Sequence, residues 1–113
     1  MRKLAVILIV ICLESCIPHC LNRYSGQVVD SKTKLPIKNV RIVMVVDDDV
    51  YVNDPHDEDI ITDSLGRFNI EIMTGSCWDN VKLIFTKDDY SPSVSEKLTN
   101  NISIVNISMK KAK

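Results

Sequence analysis

Tyr24–Val46, YSGQVVDSKTKLPIKNVRIVMVV, reads as strand, turn, strand. Gly26 to Asp30 is a short β-prone run, Ser31 to Pro36 brings polar turn chemistry, and Asn39 to Val46 is a longer run rich in β-branched residues. Pro36 removes a backbone donor at the mouth of the second run, so it marks the turn and not a strand interior. Working outward, Val50–Asn53 is a short strand and Thr62–Gly66 a tight turn, with Gly66 free to take positive φ. Arg67–Ile72 alternates polar and apolar and sets Phe68, Ile70 and Ile72 on one face. Asn80–Lys87 repeats the pattern with Val81, Leu83 and Phe85, Ser93–Leu98 is weaker after Pro92, and Ile102–Met109 closes the chain.

The last run has a phase conflict: Ile102 and Ile104 share one parity, while Val105, Ile107 and Met109 share the other. Either both faces are buried or a bulge falls near Val105, and the bulge is the preferred reading. After the first residues no helical period occurs, and short strands separated by turn signals mark an all-β sandwich. Val28, Val40, Ile42, Met44, Phe68, Ile70, Leu83, Phe85 and Ile107 are the expected core. Full burial of each such side chain contributes about 1.5 to 3 kcal/mol.

At 113 residues, 45% hydrophobic and 26% charged, the chain has room for one globular domain. A formal charge of −1 offers no basic stripe for nucleic acid. Arg2 and Lys3 precede an unbroken apolar segment, Leu4–Leu13, of about ten residues where a membrane span needs roughly 20. Residues 1–15 are therefore expected to be an export signal. Leu13-Glu14-Ser15-Cys16 resembles the lipobox of bacterial lipoproteins, with Glu14 a departure from the usual small or apolar residue. Cys12 and Cys20 follow Ile11 and His19 and fit the pattern worse, so Cys16 is the expected lipidation site and the anchor to the membrane. The bland alternative is a plain cleaved signal with Cys16 a free thiol. Loss of Arg2, Lys3 and Glu14 takes the basic count from 14 to 12 and the acidic count from 15 to 14, a mature side-chain charge of about −2. Residues 16–23 then form a tether of at most roughly 28 Å, and residues 24–110 the sandwich. Cys20 and Cys77 remain as two thiols or as one bridge; in an oxidising compartment the bridge would contribute about 4 kcal/mol by loop closure.

Gly26, Val28, Asp30, Thr33, Pro36, Ile37, Asn39, Val40, Ile42 and Met44, followed by Thr62, Asp63, Gly66, Phe68 and Ile70, resemble in spacing and order the carboxypeptidase regulatory-like domain. Asp89-Tyr90 stands where that family has Gly-Tyr after its fifth strand. The resemblance covers about residues 24 to 110, and implies a transthyretin-like (prealbumin-like) antiparallel β-sandwich of about seven strands. It also implies a non-catalytic folding or docking module. The motif residues have structural tasks available: Asp30 and Thr33 cap a turn, Pro36 presets φ, and Asp63 with Gly66 turns the chain into the next strand.

Relatives of this topology include hydrolases and iron-dependent dioxygenases, whose sites need several histidines. His56 is the one histidine inside the domain, with His19 ahead of it, so catalysis and a catalytic metal are not expected. Asp47, Asp48, Asp49, Asp54, Asp57, Glu58 and Asp59 crowd one segment. Among them Asp47, Asp49, Asp57 and Asp59 are candidate calcium ligands. Val52 occupies the glycine place of an EF-hand, and the competing reading is a solvated loop that keeps a sheet edge from pairing. Trp78 and Tyr51 are candidate carbohydrate contacts, or else the cover of a core end. The Asn-Ile-Ser triplets at Asn101 and Asn106 match the glycosylation acceptor pattern, but the resemblance to a bacterial lipoprotein signal and their position in a strand argue for coincidence. The expected protein is exported to the bacterial envelope, lipid-anchored at the outer membrane or cell surface. Its expected mode of action is contact with another envelope protein, the alternative being small-ligand binding and no cofactor other than calcium.

Overall fold

The structure, a computed structural model, describes residues 19–51 and 60–112. It contains β1 (Cys20–Asp30), β2 (Arg41–Val46), β3 (Asp49–Val50), β4 (Arg67–Thr74), β5 (Val81–Thr86), β6 (Ser93–Val94) and β7 (Ile102–Met109), and no helix among the described residues. Two sheets form the sandwich, one ordered β4-β1-β7 and the other β3-β2-β5-β6. β1 lies between an antiparallel β4 and a parallel β7, in register from Arg23 opposite Ile102 to Asp30 opposite Met109.

Alternation fills the space between the sheets. Tyr24 and Val28 from β1, Phe68 and Ile70 from β4, Val105 and Met109 from β7 meet Ile42 and Met44 from β2 and Val81, Leu83 and Phe85 from β5. The rings of Phe68 and Phe85 pack edge to face with centroids 5.5 Å apart, tying one sheet to the other. Of the expected core, Ile107 is only half-buried. Tyr24, Val81, Val105 and Met109 are buried beyond that expectation. The Tyr24 hydroxyl has no hydrogen-bond partner among the described residues, and burial raises its pKa.

Three expectations are corrected. β1 begins at Cys20 and not in the region of Tyr24, because Cys20–Arg23 pair with Glu71–Thr74; residues 20–23 belong to the sheet and not to a tether. β7 carries no bulge: its register with β1 is unbroken, and Ile102 and Ile104 sit on the solvent side, 61% and 78% exposed. The weak run at Ser93–Leu98 pairs as a strand only at Ser93–Val94, with an isolated bridge between Leu98 and Val81.

Gly26 explains itself in this arrangement. A Cβ placed there would come within 1.7 Å of the Val105 carbonyl oxygen, so the residue is needed for close approach of β1 and β7. Gly75, by contrast, has open space where its Cβ would be. Cys20 and Cys77 are joined as a disulfide, with Cα atoms 5.1 Å apart. It fastens the first residue of β1 to the loop after β4.

Two outcomes follow, each read by denaturant unfolding. Gly26→Ala is expected to destabilise the fold by about 3 kcal/mol or more, against less than about 0.5 kcal/mol for Gly75→Ala. Cys77→Ser is expected to cost about 2 to 4 kcal/mol, and equal midpoints for oxidised and reduced protein would contradict the bridge.

Candidate functional site

β1, β7 and the start of β4 place the motif residues at one end of the sandwich. Asp30, the last residue of β1, is 5% exposed. One of its oxygens, Oδ1, accepts from the Lys32 and Thr33 backbone N–H groups at 2.8 and 3.0 Å, and the Tyr90 hydroxyl donates to Oδ2 at 2.7 Å. The Thr33 N–H, the Tyr90 hydroxyl and the Lys32 N–H, in that order, hold the carboxyl down at about 2. The same hydrogen bond pushes the Tyr90 phenol up. Thr33 Oγ1 accepts from the Leu35 N–H at 3.3 Å and completes the turn.

The second turn is built the same way. Asp63 Oδ1 accepts from the Leu65 and Arg67 N–H groups, both at 2.9 Å, and Gly66 stands at φ +70°. Thr62, 1% exposed, links the two turns: its hydroxyl donates to Ile37 O at 2.7 Å and accepts from Val40 N–H at 2.9 Å. Asn39 and Asp89 also adopt positive φ, at 59° and 70°. Asp89 thus takes a left-handed backbone that favours glycine, and its short polar side chain tolerates it.

A cleft of about 430 Å³ opens beside Asp30 and Tyr90, lined also by Leu35, Pro36 and Ile37. Lys38, Lys87 and Lys111 lie around it, so its mouth is basic while the buried carboxylate is consumed by internal donors. Neither oxygen of Asp30 lacks a partner, so the group acts as a clamp between the β1–β2 turn and the segment after β5.

The opposite end holds the candidate ligand contacts. Trp78 and Tyr51 are brought together, centroids 5.1 Å apart and 65° between planes, both half-buried and packed on the core. Asn22, fully buried, accepts from the Trp78 N–H at 2.9 Å and donates to Ile72 O and Thr74 Oγ1. Nothing in the sequence marked Asn22, because an asparagine in a polar stretch carries no sign of its burial. Asn101 is half-buried and its amide donates to Leu21 O at 3.0 Å. Asn106 is exposed and its Oδ1 accepts from the Gln27 N–H at 3.2 Å.

The acidic segment divides. Asp47 and Asp48, at φ 51° and 68°, are the two central residues of the β2–β3 hairpin, and Asp49 pairs with Val46. Two successive positive φ values are those of a type I′ turn, which matches the twist of the strands it joins. Asp47 and Asp49 thus have a backbone reason for their places; Asp57 and Asp59, like His56 and Cys16, lie outside the described residues. Among the described residues no three histidine, cysteine, aspartate or glutamate side chains form a cluster able to hold a metal ion.

No family model matches the chain, and no curated protein matches it in sequence. Solved structures that share its fold include two with a TM-score above 0.5. One is 3-chlorocatechol 1,2-dioxygenase from Rhodococcus opacus 1CP, with TM-score 0.57 and 14% identity over 86% of this chain and 62% of that one. The other is the shaft pilin SpaA from Lactobacillus rhamnosus GG, with TM-score 0.55 and 11% identity over 83% of this chain and 47% of that one. The chain therefore spans less than two thirds of either neighbour, and at these identities the likeness is of β-rich fold alone.

The clamp at Asp30 has a pH signature. Its folded pKa lies below the unfolded value of about 3.9, so its stabilisation is full above that value and is lost as pH falls through about 2. Asp30→Asn is expected to lower the melting temperature at pH 7 and to flatten the loss between about pH 4 and pH 2. Parallel acid limbs for the two proteins would count against the clamp.

Proposed function

We propose that this chain is a non-catalytic lipoprotein of the bacterial cell envelope, its sandwich a carboxypeptidase regulatory-like module that works by contact with other protein. The observation that carries the reading is the open edge of β7, an outer strand of its sheet whose solvent face bears Ile102 and Ile104 and no charge. Extended edges of this kind recruit strands. The residues that carry the family resemblance support a structural role as well, since Asp30, Thr33, Thr62, Asp63 and Tyr90 all bond within the fold.

The anchor reading gains from the disulfide. Cys20 is engaged with Cys77, which leaves Cys16 as the cysteine between the apolar leader and the sheet. From Cys16 to the start of β1 the chain is four residues long, at most roughly 14 Å when extended. Such a link holds the disulfide end, with Trp78 and Tyr51, toward the bilayer and turns the lysine-rimmed cleft away from it.

Crosslinking in native membranes followed by mass spectrometry is expected to recover protein joined through β7 and its neighbours; recovery of lipid or glycan alone would overturn the reading. Cys16→Ser is expected to shift the chain from the membrane to the soluble fraction with its melting temperature unchanged. Retention on the membrane would refute the anchor.

A further inference from the structure

The two long outer strands of the β4-β1-β7 sheet differ in how they meet water. On β4 the solvent side carries Arg67, Asn69, Glu71 and Met73, and Glu71 is paired with Arg23 at 3.0 Å. Charges along an edge discourage pairing with another strand. On β7 the solvent side carries Ile102, Ile104, Asn106 and Ser108, without a charge. The outer strands of the other sheet, β3 and β6, are two residues each and offer no template.

The backbone of β7 can be sorted by direction. Asn101 O accepts from Arg23 N–H and Met109 O from Ser31 N–H, so the odd-numbered residues point their peptide groups at β1. The even-numbered ones point away, and Lys110 O is met there by Ser91 N–H. That contact closes the edge at its far end. Ile102, Ile104, Asn106 and Ser108 remain, each presenting an N–H and a C=O outward that no other backbone group meets among the described residues. Beside them a groove of about 310 Å³ runs between β7 and the segment after β6, lined in part by Val94, Leu98 and Ile107.

We propose that the occupant of this edge is a second copy of the chain, added antiparallel across a two-fold axis at Ile104. The inference rests on the reading of the domain as a protein-contact module and names the first partner. Three features favour self-pairing. Ile104 is the most exposed of the large hydrophobic residues among those described, and the axis sets it against its own copy with Ile102 on the diagonal. A two-fold interface must be complementary to itself, and an uncharged strand satisfies that without a conflict of sign. The rim adds one charge of each kind, Glu96 in the groove and Lys97 after it, both exposed and neither in an ion pair among the described residues, so the rim carries no net charge to repel its own copy. A ladder this short lies at the small end of stable interfaces, so the dimer is weak and concentration-dependent.

Sedimentation of the full chain in mild detergent, at protein concentrations up to about 1 mM, tests the proposal. The unaltered chain is expected to pass from one copy to two as concentration rises. Ile104→Lys and Ile104→Glu are each expected to weaken the association at least tenfold, and their mixture to restore it. Asn69→Lys, on the opposite edge, should leave it unchanged. Ile104 is exposed, so its replacement leaves the core intact; Ser108→Lys, further along the same edge, substitutes should either variant fail to fold. Hydrogen exchange is expected to slow on dimerisation at Ile102, Ile104, Asn106 and Ser108. A chain that stays single throughout, a dimer indifferent to Ile104→Lys, or protection at Asn69 and Glu71 instead would overturn the inference. If the chain stays single while membrane crosslinks join β7 to a different protein, the self-pairing falls and the contact-module reading stands. Absence of any protein crosslink fells both.

Discussion

Everything in this molecule is arranged around a strand held on both sides. β1 makes an antiparallel ladder with β4 and a parallel ladder with β7, so the first and last long segments of the domain meet through its backbone. A parallel neighbour requires the chain to travel the length of the domain before it can pair. The core therefore closes only when the last strand arrives. Gly26 lets the two backbones come together at the middle of that ladder, and Tyr24 and Val28 on either side of it are fully buried. The second sheet packs on this face through Phe85, Leu83 and Met44.

The two ends of the sandwich are secured by different chemistry. At one, carboxylates and a hydroxyl take up backbone N–H groups: Asp30 those of Lys32 and Thr33, Asp63 those of Leu65 and Arg67, and Thr62 that of Val40. Buried polar atoms need partners, and here the partners are local backbone groups that exist only once the turns are made. At the other end a covalent bridge and the buried Asn22 hold the loop that carries Trp78. The polar end depends on ionisation of Asp30 and the bridged end on redox state, so a change of solution conditions can loosen one without the other.

Edge management connects the fold to its proposed work. Charged residues on β4, a two-residue β3 behind an aspartate turn, and a two-residue β6 leave β7 as the long strand, among those described, whose solvent side carries no charge and whose outer edge pairs with no strand. The isoleucines on that side contribute nothing to the core, being 61% and 78% exposed. On the proposed reading, these exposed isoleucines belong to a surface that meets another strand.

The residues alone determined the all-β class, the strands from β2 onward to within a few positions, and the turns at Asp30–Pro36 and Asp63–Gly66, because alternation and turn chemistry are local properties. They also named both cysteines of the bridge without joining them. What they could not supply was the start of β1, since Leu21–Ser25 is a polar stretch whose strand state is imposed by β4. Nor could they resolve the phase of β7: two parities of apolar residues are equivalent in sequence, and only the neighbouring β1 decides which one faces the core. The burial of Asn22 and the union of Trp78 with Tyr51 belong to the same group, for each depends on residues more than 25 positions away being brought alongside. Local pattern fixes which face a strand can bury; which strand lies next to it is settled by long-range pairing, and that information is held by the folded chain as a whole.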